Sequence, residues 1–138
     1  METTGVYELE TIEEARDAYR EAGPAAKVVV RETASAMEFD SAEYESRVTS
    51  EVVETARDAL FASLLSVRIG GREEFDEWCG DRPSYDRRVI GGENVDRVVW
   101  HAAPFAEEVV AATFQEAREA AIATLRRQAF GEIYRDRL

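Results

Sequence analysis

The segment Val95 to Ala102 reads as a strand with apolar side chains on both faces. Alternation puts Val98, Trp100 and Ala102 on one face, and Arg97, Val99, His101 and Ala103 on the other. Pro104, which has no N–H for a ladder, ends the strand. A strand of this kind belongs in a sheet covered on both sides. The rest of the chain must supply that cover, or leave a face open to a partner.

The flanking segments predict the rest of the sheet. Tyr85 to Ile90, followed by Gly91-Gly92-Glu93-Asn94, reads as the first strand of a β-hairpin whose second strand is Val95 to Ala102. Residues 107–112 fit two patterns. Val109-Val110 favours a strand, while positions 106, 109, 110, 113 and 117 also match a helix. Thr113-x-x-Glu116 has the form of a capping box, which favours a strand followed by a helix over Phe114 to Phe130. Ala117, Ala120, Ala121 and Leu125 give that helix a small face for close approach to a sheet, and Arg126 and Arg127 complement its dipole. With 107–112 as a strand, Val98, Trp100, Val110 and Ala112 share one sheet face, and Val99, Val109 and Ala111 the other. One closing helix and a modest helical layer leave part of the second face uncovered. Val99, Val109 and Ala111 are therefore the candidate interface, and self-association as a homodimer is the partner they imply. The competing expectation is that a helix from the first half covers them.

That first half is mainly helical. Thr11 and Glu14 form a capping box, Ile12, Ala15, Ala18, Tyr19 and Ala22 keep helical spacing, and Gly23-Pro24 is expected to stop the helix. Pro24 then opens a second helix through Met37, although Val28-Val29-Val30 suits a strand equally well. Phe39-Asp40 reads as staple and N-cap of a short helix over Ser41 to Arg47. Thr49 or Ser50 opens the next, with Val52, Val53, Ala56, Ala59, Leu60 and Leu64 as its apolar stripe. Ser66 to Ile69 is a strand closed by Gly70-Gly71, and Glu73 to Cys79 a short helix turning Phe75, Trp78 and Cys79 inward. The fold class is α+β in one domain over residues 1–138: a helical N-terminal half, an antiparallel sheet of three to four strands, and a closing C-terminal helix.

Charge narrows the setting. Twenty-nine acidic residues face seventeen basic ones, a net of −12, and Lys27 is the only lysine. Heat adaptation raises Glu and Lys together and does not produce this pattern. Molar salt does: self-repulsion among carboxylates is screened, their hydration keeps the surface soluble, and the apolar stem of lysine becomes a liability. An acidic protein from a GC-rich genome would show the same taste for Arg and Ala. Such a surface argues against nucleic acid, because Arg87-Arg88 and Arg126-Arg127 are pairs and not a basic face. The chain has no apolar run of membrane-spanning length, no leader-like N-terminus and a single cysteine, all of which lead to a cytoplasmic expectation.

Few residues invite chemistry. His101, the only histidine, is a general acid–base candidate by type, and its strand position directs it to a half-polar surface near Arg97. A pocket beside His101, Arg97 and Trp100 is the alternative to a non-enzymatic protein, with Arg97 pairing a ligand carboxylate or phosphate. No orienting carboxylate or nucleophile can be placed beside His101, so a structural or interface role is the expectation. Cys79 follows acidic residues that disfavour its thiolate, and reads as a small core residue. Glu73, Glu74, Asp76 and Glu77 match no calcium loop and read as a hydrated face, so no metal is expected. Gly70-Gly71 and Gly91-Gly92 are turns and fit no phosphate-binding motif, and nothing calls for a cofactor.

The stretches TARDALFASLLSVRIGGREEFDEW, GGENVDRVVWHAAP and AATFQEAREAAIATLRRQAFGEIYR carry a resemblance. Together they are similar to a family of small haloarchaeal proteins classed as a domain of unknown function, over about residues 10–135. The resemblance implies a salt-loving source and a cytoplasmic location. It implies no activity, cofactor or site residue.

Overall fold

A computed structural model describes residues 1–138. The first half is helical, with α1 at Ile12–Ala36, α2 at Ser41–Arg47 and α3 at Ser50–Ser63. Each helix starts on a side-chain oxygen: Thr11 accepts from the Glu14 N–H, Asp40 from that of Glu43, and Thr49 from that of Val52. Val28-Val29-Val30, open between helix and strand in the sequence, is helical.

Gly23-Pro24 does not stop α1, which runs through the proline as one element. An internal proline forfeits a hydrogen bond and crowds the carbonyl four residues earlier. The buried positions Ala15, Ala18, Gly23, Ala26, Val30 and Ala34 nevertheless stay in phase across it. Packing of that continuous stripe on α3 outweighs the lost bond. A Cβ at Gly23 would meet the Arg57 guanidinium, which would have to shift from its place 5.2 Å over the Tyr19 ring.

The strands are β1 (Glu2–Thr4), β2 (Val67–Gly71), β3 (Asp86–Ile90), β4 (Arg97–Ala103) and β5 (Glu108–Phe114). They form one five-stranded sheet in the order β1-β2-β4-β5-β3. The remaining helices are α4 (Arg72–Gly80) and α5 (Arg118–Ala129), and a π-helical turn follows at Phe130–Tyr134. The class is α+β, as expected, but the sheet is larger than three to four strands and is mixed: β3 runs parallel to β5. The expected hairpin of β3 with β4 does not form, because β5 lies between them. Apolar content explains the order. β5 buries Val109 to Ala112 on both faces and takes a central place, whereas β3 exposes Asp86, Arg87 and Arg88 and takes the edge. The chain leaving β3 turns at Gly91, whose φ of +107° and contact with Thr113 both exclude a side chain.

Residues 108–112 belong to a strand, with Glu107 a left-handed turn residue just before it, and the strand continues through Phe114, which is buried and pairs with Arg97. Thr113 is therefore no N-cap, and α5 begins four residues later than expected, behind Ala117 with no side-chain cap. Its inward side is Ile122, Leu125 and Ala129, while Ala117 and Ala120 face solvent.

Register decides which residues share a face. Val99 pairs with Ala112, His101 with Val110, and Trp100 with Ala111. Val99, His101, Ala103, Val110, Ala112 and Phe114 thus point to one side, and Val98, Trp100, Ala102, Val109 and Ala111 to the other. The sequence grouping placed Val110 and Ala112 beside Trp100, and Val109 and Ala111 beside Val99; the observed register exchanges them. The first side is covered by α1, α3 and α5 around Phe61, whose ring contacts Tyr7, Tyr19, Phe130 and Tyr134 at 5.3–5.8 Å between centroids. The second is covered by α4 through Phe75 and Trp78, with the Phe75 and Trp100 ring centroids 5.2 Å apart.

Candidate functional site

His101 lies in the helix-covered face and is fully buried, not on a half-polar surface. Its Nδ1 is 2.7 Å from the Ser66 carbonyl oxygen, which can only accept, so Nδ1 carries the proton and donates. Nε2 then accepts from the Tyr134 hydroxyl at 2.6 Å. Burial pushes the imidazole pKa down to about 4, against the raising influence of the Ser66 hydrogen bond and of Glu8. The ring is neutral with both nitrogens occupied, and has no site left for a substrate. Its work is local. The carbonyls of Leu64, Leu65 and Ser66 lie at the entry to β2, where the regular ladder has not begun. The Leu64 oxygen accepts from the Val6 and Tyr7 N–H groups, that of Leu65 from Arg126 Nε at 2.9 Å, and that of Ser66 from His101.

The other residues of the expected pocket are not brought to His101. Trp100 points to the opposite face and is itself fully buried. Arg97 is exposed at the start of β4, over the Phe114 ring at 5.2 Å, and four residues along a strand is roughly 13 Å from His101. None of the three lines any of five surface clefts of about 250–610 Å³. The pocket reading fails on that geometry. The interface reading of Val99, Val109 and Ala111 fails too: all three are within 1% of complete burial, and Val99 lies on the opposite face from the other two. The chain's own helices cover both faces.

Cys79 is half-buried on α4, and burial pushes its thiol pKa up. The carboxylates of α4 fan outward to separate tasks. Glu74 accepts from the Gly71 N–H at 3.1 Å, and Asp76 pairs with Arg87 at 3.3 Å. Arg88 pairs with Glu132 at 2.8 Å. Arg87 and Arg88 thus lie at the β3 edge and share no cleft with Arg126 and Arg127.

Two outward features remain, and both are helical. The first is the arm made by α1 beyond Ala22, α2, and the start of α3. Its buried residues Ala26, Val30 and Ala34 belong to neither sheet core and pack within the arm. Nine large apolar side chains are exposed in the whole chain, and five of them (Val28, Val29, Met37, Tyr44 and Val52) lie here. Lys27 and Arg31 on α1 have no carboxylate partner, and Glu43 and Glu45 on α2 have no cationic one.

The second feature is a cleft of about 440 Å³ between α3 and α5. Ala62, Ala123 and Phe130 contribute its apolar surface, and Arg126, Arg127 and Arg135 its cations. Sequence reasoning assigns Arg126 and Arg127 to the helix dipole and does not single out Arg135. The missing link is the π-helical turn, which re-aims the chain after α5 and has no sequence signature comparable to a cap.

Taken together, the fold and its surfaces define an α+β protein with a mixed sheet covered on both faces and a histidine committed to structure. The chain belongs to the family of unknown function DUF5809, whose profile matches residues 6–135. No curated protein and no solved structure matches it. No helix is long and apolar enough to cross a membrane.

Proposed function

We propose that the protein is a non-enzymatic, salt-adapted cytoplasmic module that acts through protein contacts, pairing with a second copy of itself through the helical arm. The observation that carries this reading is the concentration of exposed valines on a segment that stands apart from both cores. An arm of two antiparallel helices has an outer apolar surface it cannot bury alone, and two such arms related by a two-fold axis close into a four-helix layer. The charges favour a copy of this chain over an unrelated partner. A basic patch at Lys27 and Arg31 and an acidic one at Glu43 and Glu45, both unpaired, meet reciprocally across a two-fold axis. Molar salt screens those charges but strengthens apolar contact, so the valines supply the affinity and the charges the orientation. The salt-adapted setting rests on the −12 net charge and the single lysine.

Sedimentation equilibrium in about 2 M KCl tests the reading, at a salt level where only apolar contacts remain strong. The chain should be a dimer at micromolar concentration, and Val28→Glu with Val29→Glu should leave a folded monomer. A wild-type chain that stays monomeric, or a variant that dimerises as well as wild type, sinks the proposal.

A further inference from the structure

The α3–α5 cleft presents a charge pattern opposite to that of the molecule around it. Three arginines line it and one carboxylate, Asp58, for a local balance of +2 (three minus one) in a chain of net −12. Asp58 does not neutralise them: it accepts a hydrogen bond from the Tyr19 hydroxyl at 2.6 Å, an arrangement that, with burial, pushes the tyrosine pKa up to about 12. None of Arg126, Arg127 and Arg135 has a carboxylate within ion-pair distance. The other large cleft with two arginines differs on this point, because its Arg87 and Arg88 are already paired with Asp76 and Glu132.

Two of the three side chains are also held in place. Arg126 is half-buried and is fixed by one hydrogen bond, from Nε to the Leu65 carbonyl oxygen, so neither terminal nitrogen is engaged by a protein acceptor. Arg135 lies over the Phe130 ring at 5.4 Å, which orients its guanidinium beside an apolar wall. Burial lowers the pKa of Arg126, and the opposing influence of Glu119 does not offset the lost water.

We propose that this cleft binds a small organic oxyanion, a carboxylate or phosphate monoester carried on a short apolar body. A guanidinium tied through Nε keeps terminal N–H groups that have no protein acceptor, donors suited to the oxygens of such a group. Arg127 and Arg135 supply further positive charge, and the alanines with Phe130 receive the apolar part. The volume lies in the lower part of the range for small-molecule sites. Partial burial of Arg126 keeps the interaction from being screened as fully as a surface ion pair.

The test is amide chemical-shift titration of the intact chain, in low and high KCl, with hexanoate, hexyl phosphate, inorganic phosphate and hexanol. The expected result is saturable shifts at Ala62, Ser63, Ala123 and Arg127 with hexanoate or hexyl phosphate, the stronger of the two identifying the headgroup. Inorganic phosphate and hexanol should bind at least about tenfold more weakly, each lacking half of the ligand. Arg127→Gln with Arg135→Gln removes exposed cations that make no hydrogen bond within the chain, and should weaken binding about tenfold without loss of fold. Arg126→Gln should abolish binding. No saturable shift with either amphiphilic probe, or equal binding by the Arg127/Arg135 variant, overturns the proposal. Inorganic phosphate binding as tightly as hexyl phosphate would mean an adventitious ion only, and overturns it as well.

Discussion

Replacing His101 with Gln measures how much the buried imidazole costs the protein as the pH falls. In the folded chain the ring is neutral, with Nδ1–H on the Ser66 carbonyl and Nε2 accepting from Tyr134, and its pKa is pushed down to about 4 from the ordinary 6.5. Glu8 favours the charged form, but Arg68 and Arg126 oppose it and desolvation dominates. An unfolded chain takes up this proton near its ordinary pKa, well before the folded chain does. Between pH 6.5 and 4 the unfolded state therefore holds the extra proton, and stability falls with pH. Below pH 4 both states are protonated and the loss is complete. The gap between the two values corresponds to about 3 kcal/mol as an upper figure, close to one proton's worth of slope throughout the window. Urea unfolding of wild type and His101→Gln in high KCl, at several pH values from neutral to 4, separates this effect from carboxylates that titrate alike in both. The wild-type advantage over the variant should be largest above pH 6.5 and shrink by up to about 3 kcal/mol at pH 4. A difference that stays constant with pH would refute the argument, because it would mean that the ring is solvated or already charged in the folded state.

Phe61→Ala should destabilise by about 3–5 kcal/mol in the same assay, since this fully buried ring joins Tyr7, Tyr19, Phe130 and Tyr134 across three elements; a loss under about 1 kcal/mol would contradict that role. Glu38→Gly should stabilise by about 1 kcal/mol. Glu38 sits at φ 57° just past α1, where its N–H bonds the Ser35 oxygen and that of Phe39 the Ala34 oxygen, a left-handed helix end that glycine adopts without strain. Thermal unfolding that shows no gain would place the strain elsewhere.

How far the sequence could be read depended on the range of the interaction. Asp40 and Thr49 cap α2 and α3 at the expected positions, because a cap involves only residues three apart. The end of α1 was less legible, for two local signals misled in opposite directions. Pro24 looks like a stop and is overridden by packing on α3, while Glu38 fills a left-handed position without the glycine that would announce it. Thr113 shows the same conflict at longer range. Its spacing to Glu116 satisfies the capping-box pattern, but extending β5 buries Phe114 opposite Arg97, and that tertiary gain draws Thr113 into the strand. The place of β3 depends on which strand gains most from a central position, a comparison among strands that no local window contains. The Arg126–Arg135 convergence is in turn visible only once the π-helical turn is known.

The apolar sheet shows why its face cannot be assigned to a partner by counting helices. Cover depends on area, and aromatic side chains deliver it out of proportion to helix length. α4 has only nine residues, yet it presents Phe75 and Trp78 to the sheet, where they meet Trp100 at centroid distances of 5.2 and 6.2 Å. Side chains of this size bury about 150–250 Å² each, so two of them cover what a helix of alanines would need several turns to reach. The small residues opposite them, Val98, Ala102, Val109 and Ala111, keep that sheet face shallow enough for one short helix to close it. The same reasoning applies in reverse to the arm. There Ala26, Val30 and Ala34 are the buried residues of α1, while Val28 and Val29, on the same helix, are left outside. With its alanines inward and two valines outward, the arm leaves apolar area that the chain itself does not cover.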